Sequence, residues 1–332
     1  MDKKEVQYIC IVGYGWSGSS AVVDLMKEFE GNWDPEAEFR IIPEPHGVVD
    51  LEHVLFDRWD AQNVDIAIQD FLELAGFLNQ NEGKFRRGIN YDEKFHGKFM
   101  EATETFINEI TNYRYDSYWW IYNFRMPYSK WLIKKIVNKI IPQKYIETMY
   151  FSDIDREEFY QAVKRYMKNL VEIVGDGNEC RNIILDQAVQ PQHPLKAFDY
   201  FDNVKVIIVD RDPRDIYCDM VELKKLVGHD IAFTHDASKF VKWHRKYREN
   251  DHIQHDRILR IQFEDLILHY EDTVKQIVDF VGDDTMTHVE KLKHFDPTVS
   301  RKNVGKYLSF PFQDEIQVLE KELAEYLYPL EK

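Results

Sequence analysis

The chain has 332 residues, which suits one α/β domain with a large insertion or two domains. Lys+Arg 43 against Asp+Glu 59 leaves a formal net charge of −16, which argues against general nucleic-acid or anionic-membrane binding. It leaves room for a locally basic pocket that holds an anionic small ligand. The three cysteines, Cys10, Cys180 and Cys218, are odd in number and lack metal spacing, so a reduced cytoplasmic setting and no metal are expected. No secretory leader is read at the N-terminus, and no apolar run reaches the ~18 residues of a membrane-spanning helix.

In chain order, Val6 to Val12 is a β-branched apolar run that breaks into Gly13-Tyr14-Gly15-Trp16-Ser17-Gly18-Ser19-Ser20. Ala21, Val22, Leu25, Met26 and Phe29 then recur at helical spacing. The pattern predicts a buried strand, a tight glycine loop and a helix. Three glycines let the backbone approach a ligand closely, and the helix start offers unpaired N–H groups to an anion. Asn32 to Pro35 reads as a turn. Phe39 to Ile42 reads as a second strand stopped by Pro43, with Glu44-Pro45-His46-Gly47 a stiff polar corner at its end.

Residues 50–175 have another texture. Val64, Ile68, Phe71, Leu72 and Phe77 follow helical spacing, and Asp153 to Val174 does the same. Aromatics crowd Tyr113 to Phe124, either as packing or as the wall of an acceptor pocket. No strand is evident, so a mainly helical insertion within a single domain is expected. Strand patterns return at Asn182–Asp186, Val204–Val209 and Ile258–Phe263. Asp212 can cap a helix with Pro213 at its first position, running to about Leu226. Further helices are read at Phe240–Tyr247, Tyr270–Val281 closed by Gly282, and Gln313–Tyr326. Alternating strands and helices predict an α/β fold whose parallel sheet is flanked by helices, in a P-loop-like architecture.

Three readings of the glycine loop compete. Gly13-x-Gly15-x-x-Gly18 satisfies the dinucleotide fingerprint, which also wants an acid at the end of the next strand; Glu38 and Glu44 only flank that strand. A nicotinamide-dependent enzyme is the corresponding alternative. Gly13 to Ser20 also resembles G-x-x-x-x-G-K-[ST], but Ser19 stands where the lysine should be, which disfavours ATP or GTP hydrolysis.

The third reading uses more of the chain. Trp16-Ser17-Gly18-Ser19-Ser20 resembles the 5′-phosphosulfate loop of the sulfotransferase family. Val204 to Asp219, VKVIIVDRDPRDIYCD, resembles that family's 3′-phosphate motif, a strand followed by Arg-(Asp/Asn)-Pro-(Arg/Lys). Phe263-Glu264-Asp265-Leu266 with Asp279 to Gly282 is similar to its YEDL…FLG segment, and Ser300 to Lys306 to its C-terminal basic loop. Glu44-Pro45 resembles the acidic-Pro pair of carbohydrate sulfotransferases. The chain departs from the pattern at Trp16, where the family has a cation, and at Asp219, where it has a serine.

The resemblance implies 3′-phosphoadenosine 5′-phosphosulfate as donor, a hydroxyl acceptor such as a carbohydrate, and no metal. It implies that Trp16, Ser17, Gly18, Ser19 and Ser20 hold the 5′-phosphosulfate, chiefly through backbone N–H groups and the Ser19 and Ser20 hydroxyls. Arg211 would bind the 3′-phosphate, with Arg301 and Lys302 closing over it. Glu44 is the first candidate for the general base and His46 the second. A non-catalytic binding relative is the remaining alternative.

Overall fold

The computed structural model describes residues 6–36, 38–83, 86–140, 146–175 and 180–330. Residues 1–5, part of the stretch read above for a leader, lie outside these, as do 84–85 and 141–145 of the segment read as an insertion. Contacts divide the chain into two compact units, Met1–Arg40 with Gly177–Lys332, and Ile41–Asp176.

The first unit is built on five strands, β1 (Gln7–Gly13), β2 (Asn32–Trp33), β3 (Asn182–Asp186), β4 (Val204–Asp210) and β5 (Ile258–Gln262). They lie in the order β2-β3-β1-β4-β5, and every neighbouring pair is parallel. Ile9 aligns with Ile184, and Cys10 with Val206. Its main helices are α1 (Ser19–Lys27), α2 (Pro213–Glu222), α3 (Ala237–Tyr247), α4 (Tyr270–Val281) and α5 (Gln313–Glu322).

Ile9, Cys10, Ile11 and Val12 are all fully buried. That is why β1 reads as a continuous apolar run rather than an alternating one: a parallel sheet is covered on both faces. Alternate residues Ile9, Ile11, Ile184, Ile207 and Val209 pack with Val22, Leu25 and Met26 of α1 and Ile277 and Val281 of α4. A second cluster joins Tyr217 and Met220 of α2, Phe240 of α3, and Ile316 and Leu319 of α5. The expected α/β fold, a parallel sheet flanked by helices, is present.

Two expectations about the first strands are corrected. Residues 39–42 form no strand; the edge strand is the Asn32–Trp33 pair read as a turn. Pro35 lacks an N–H and cannot extend the ladder. Beyond it the chain returns to β3 through the Phe39 N–H, which donates to the Asp186 carbonyl at 3.4 Å. Phe39, Ile41 and Ile42 are nevertheless fully buried, so their apolarity reports burial and not pairing. Two helices also end early: α2 stops at Glu222, and the last helix at Glu322, before a 3₁₀ turn at Ala324–Tyr326.

The second unit holds the long helices Val48–Asp57, Ala61–Asn79, Phe99–Glu109 and Arg156–Gly175. It also contains an antiparallel pair, Tyr113–Ser117 with Glu147–Phe151, contrary to the strandless expectation. Tyr113–Ser117 is mostly exposed, so no apolar alternation marked it. The core is aromatic: Phe106 stacks on Tyr166 at 4.9 Å and meets Phe71 and Phe159 edge-on or tilted. Asp65, fully buried, accepts from the Tyr150 N–H at 2.9 Å and from the Tyr122 hydroxyl, tying helix to hairpin.

Candidate functional site

β1 ends at Gly13, and the next residues turn sharply. A Cβ on Gly13 would stand 2.1 Å from Ser17 Oγ and 3.2 Å from the Val209 carbonyl oxygen. The Ser17 N–H donates to the Tyr14 carbonyl at 3.0 Å and closes the turn. Gly18 sits in the left-handed region at φ 83, and a Cβ there would lie 2.5 Å from the Phe263 ring. Gly18 is also the N-cap of α1 and brings no side-chain cap; its carbonyl takes the Ala21 N–H at 3.0 Å, and the Ser19 and Ser20 N–H groups at the helix start can meet an anion. Ser17 is buried, Ser19 half-buried and Ser20 exposed.

The loop is anchored on several sides. The Tyr14 ring packs under the Arg248 guanidinium at 4.4 Å, and its hydroxyl donates to Asp251. Arg248 in turn pairs with Asp210 at the end of β4 at 3.0 Å. Gln187, just past β3, donates from Nε2 to Ser19 Oγ at 2.8 Å. Trp16 adopts φ 63, and its side chain packs on the α2, α3 and α5 cluster. Its carbonyl accepts from Arg211 Nη1 at 2.8 Å. Trp16 therefore serves the loop through its backbone carbonyl, which Arg211 binds.

The segment Arg211-Asp212-Pro213-Arg214-Asp215 works as a staple. Asp212 caps α2 by accepting from the Arg214 N–H at 2.8 Å, and Pro213 takes the first helical position. Asp212 also receives the Arg214 guanidinium at 2.6 Å and the Tyr328 N–H at 3.0 Å. Asp215 accepts from the N–H groups of Gly305 at 2.7 Å and Tyr307 at 3.2 Å, so it pins the C-terminal basic loop. Burial, first, pushes the Asp215 carboxyl up to about 6 despite those bonds. Burial likewise pushes Glu264 up to about 8; its Oε1 accepts from the Asp212 N–H at 2.9 Å.

Arg211 is 5% exposed. Besides Trp16, it bonds Asp219 through Nη1 at 2.6 Å and the Asn303 carbonyl through Nη2 at 2.7 Å. Its Nε is buried without a partner among the described residues. Asp219 also pairs with Lys306, which reaches Glu222 at 2.5 Å. Arg211 and Asp219 line a cavity of about 490 Å³ together with Gly18, Ser20, Phe263 and Asn303. That volume falls in the range of small-ligand sites.

The structure thus brings the Gly18–Ser20 end of the loop and Arg211 together around one cavity. Arg301 and Lys302 do not line it; both are exposed on a 3₁₀ turn, flanked by Ser300 and Asn303, which do. Sequence reading missed Asp186 and Gln187. Asp186 is half-buried at the end of β3, and its Oδ1 has no partner among the described residues. Burial first, then the nearby Glu38 and Asp34 charges, push its carboxyl up to about 6. Nothing but its place at the carboxyl end of a parallel strand marks it in the sequence.

Glu44 and His46 lie in the second unit. The Glu44 carbonyl accepts from the Gly47 N–H at 2.8 Å, which makes the corner a tight turn. His46 adopts φ 69, and its N–H donates to Asp50 Oδ2 at 2.7 Å. Its ring Nδ1 lies 3.6 Å from Asp70 Oδ2. His46 lines a second cavity of about 320 Å³ with Asp50, His53, Arg58 and Asp70. Among the described residues no group of three or more His, Cys, Asp or Glu side chains is placed to hold a metal ion. The cysteines are unpaired, with Cys10 and Cys218 buried.

No curated protein matches the chain. Among solved structures, a sulfotransferase from Mycobacterium avium is similar at 13% identity and TM-score 0.39, covering 100% of this chain and 78% of that one. The sulfotransferase domain of the Synechococcus PCC 7002 olefin synthase is similar at 14% and 0.40, covering 100% and 98%. A sulfotransferase from Mycobacterium tuberculosis H37Rv is similar at 13% and 0.41, covering 98% and 78%. The model of the sulfotransferase family matches residues 9–286, most of the length, and the chain belongs to that family.

Proposed function

We propose that the protein transfers a sulfuryl group from 3′-phosphoadenosine 5′-phosphosulfate to a hydroxyl acceptor, with a carbohydrate favoured by the Glu44-Pro45 corner. Family membership supports sulfuryl transfer as the reaction. The observation that carries the donor reading is Arg211, bonded to the loop carbonyl of Trp16 and lining one cavity with Gly18 and Ser20. Backbone N–H groups of residues 18–20 would take the 5′-phosphosulfate, helped by the Ser19 and Ser20 hydroxyls; the Ser17 N–H, expected to join them, is spent on the Tyr14 carbonyl. Gln187 donates to Ser19 Oγ, which leaves the Ser19 proton for the anion. Arg211 would take the 3′-phosphate, and Arg301 and Lys302 would close over it from their pinned turn.

In the reaction the acceptor oxygen forms a bond to sulfur as the bridging S–O bond to the 5′-phosphate breaks. The nucleotide leaves as adenosine 3′,5′-bisphosphate, and the acceptor proton passes to a general base. Such a transfer depends mostly on positioning and charge stabilisation. Glu44 is the proposed base, with His46 second. Asp186 is a rival on one observation: a half-buried carboxyl with an unpartnered oxygen and raised proton affinity beside Gln187.

The test is product formation from the donor nucleotide and a panel of sugars, followed by mass spectrometry. Sulfated product that is lost in Glu44→Gln and kept in Asp186→Asn supports Glu44; the reverse pattern assigns Asp186. If the nucleotide neither reacts nor raises the melting temperature, a non-catalytic relative replaces the enzyme reading. Binding of a reduced nicotinamide nucleotide instead would favour the dinucleotide reading of Gly13, Gly15 and Gly18.

A further inference from the structure

The helix Tyr128–Ile140 of the second unit buries none of its residues. At about 100° per residue, Leu132, Ile133, Ile136, Val137 and Ile140 share one arc of about 140°. All five are exposed, from 43% at Val137 to 75% at Ile140. Away from the arc, Lys134 Nζ sits over the Tyr118 ring at 3.5 Å, and within the helix Lys135 lies over the Trp131 ring at 4.1 Å. Lys130 and Lys139 flank the apolar arc. Just upstream, Trp120 and Phe124 are 70% and 84% exposed, and Tyr128 at the start of the helix is 73% exposed.

Charge separates this patch from the rest of the chain. From residue 118 to 140 there are five cations, Arg125, Lys130, Lys134, Lys135 and Lys139, and no Asp or Glu, in a chain of net charge −16. Exposed aliphatics bordered by lysines, with Trp, Phe and Tyr alongside, match the chemistry of a headgroup–acyl boundary. We propose that this helix docks the protein on an anionic lipid surface, lying flat with Leu132, Ile133, Ile136, Val137 and Ile140 among the acyl chains. At about 20 Å it is too short to span a bilayer. A second copy of the chain is disfavoured as occupant, because a self-complementary pairing would set lysines against lysines. The acidic remainder is repelled by such a surface, so the helix would also fix how the protein sits on it. The net charge of the chain averages over this patch of opposite sign.

The test is flotation of the full chain with phosphatidylcholine vesicles, with and without phosphatidylglycerol, at low and raised salt. The expected result is flotation with the anionic vesicles, weakened by salt, with a blue shift of tryptophan fluorescence. Ile136→Asp with Ile140→Asp should abolish it while leaving the melting temperature unchanged, since both positions are exposed. Lys130→Gln with Lys139→Gln should weaken it by about ten- to thirtyfold. The proposal is overturned if anionic vesicles do not bind the chain, or if the aspartate variant floats as well as the parent. It is also overturned if vesicles fail while the aspartate variant dissolves a dimer or releases a soluble polyglutamate.

Discussion

In the first unit, the turn of residues 13–20 is shaped by backbone: a left-handed Gly18, a Gly13 whose Cβ would crowd Ser17 Oγ, and carbonyls bonded to Arg211 and the Ser17 N–H, with the side chains of Tyr14 and Ser19 as further anchors. In the second unit, the helices around Phe106 are held by side chains: rings of Phe71, Phe159 and Tyr166 packed face and edge. A backbone-built loop is specified by a few adjacent residues with a fixed geometry. A packed aromatic body is specified by many distant residues, each of which has substitutes of similar volume. The first kind of structure leaves a motif in the sequence, and the second leaves only composition.

The comparison can be broken by mutation. Phe106→Ala should cost about 3–5 kcal/mol in denaturant melts, since the cavity it leaves is lined by rings that cannot all collapse into it. A cost below about 1 kcal/mol would mean that the second unit does not depend on that stack. Gly18→Ala should cost about 2–4 kcal/mol, from the left-handed backbone and from overlap with the Phe263 ring. If Gly18→Ala were neutral by the same melts, the loop would not be held as described.

At the cavity the expected effect is on binding. Asp219 already pairs with Arg211 and Lys306, so a 3′-phosphate has to compete with a carboxylate for both cations. Asp219→Ser should tighten adenosine 3′,5′-bisphosphate by about ten- to a hundredfold, the worth of a hydrogen bond to a charged group, and leave adenosine 5′-monophosphate nearly unchanged. Equal tightening of both nucleotides would place the effect elsewhere.

A fourth effect concerns pH. Burial raises Glu264 from 4.5 to about 8, so between those values the native chain holds a proton that the unfolded chain has released. Unfolding in that window releases a proton, and stability falls as pH rises through it. Glu264→Gln keeps an acceptor for the Asp212 N–H and removes the titration. The melting temperature of the parent should therefore fall, relative to Glu264→Gln, from pH about 5 to about 8. A constant difference would mean that Glu264 ionises in the native protein as it does in the unfolded chain.

The same contrast explains what could be read from sequence. β1, β3, β4 and β5 were legible because each is a short run built on Ile or Val and bounded by turn residues, and all but the half-buried β5 lie in the core. The Asp212-Pro213 helix start was legible because capping is a local event. β2 was not, because two residues carry no periodicity and the apolar run after it is buried without pairing. The Tyr113–Ser117 strand was not, because its faces are not divided into wet and dry. At the proposed site, the loop was marked by its glycine spacing and Arg211 by resemblance to a family motif. Gln187 and Asp186 were not marked, since the place of Gln187 beside Ser19 and of Asp186 beside Ile11 comes from the pairing of β3 with β1, a register set far along the chain.

The central claim is that residues 18–20 and Arg211 form one site for a nucleotide donor, and its most direct test is a calorimetric titration of adenosine 3′,5′-bisphosphate. The expected result is saturable one-to-one binding to the parent, weakened by about ten- to a hundredfold in Arg211→Ala and less in Arg211→Lys, with the fold checked by melting. Absence of binding to the parent at millimolar nucleotide, or an affinity unchanged by Arg211→Ala, would contradict it.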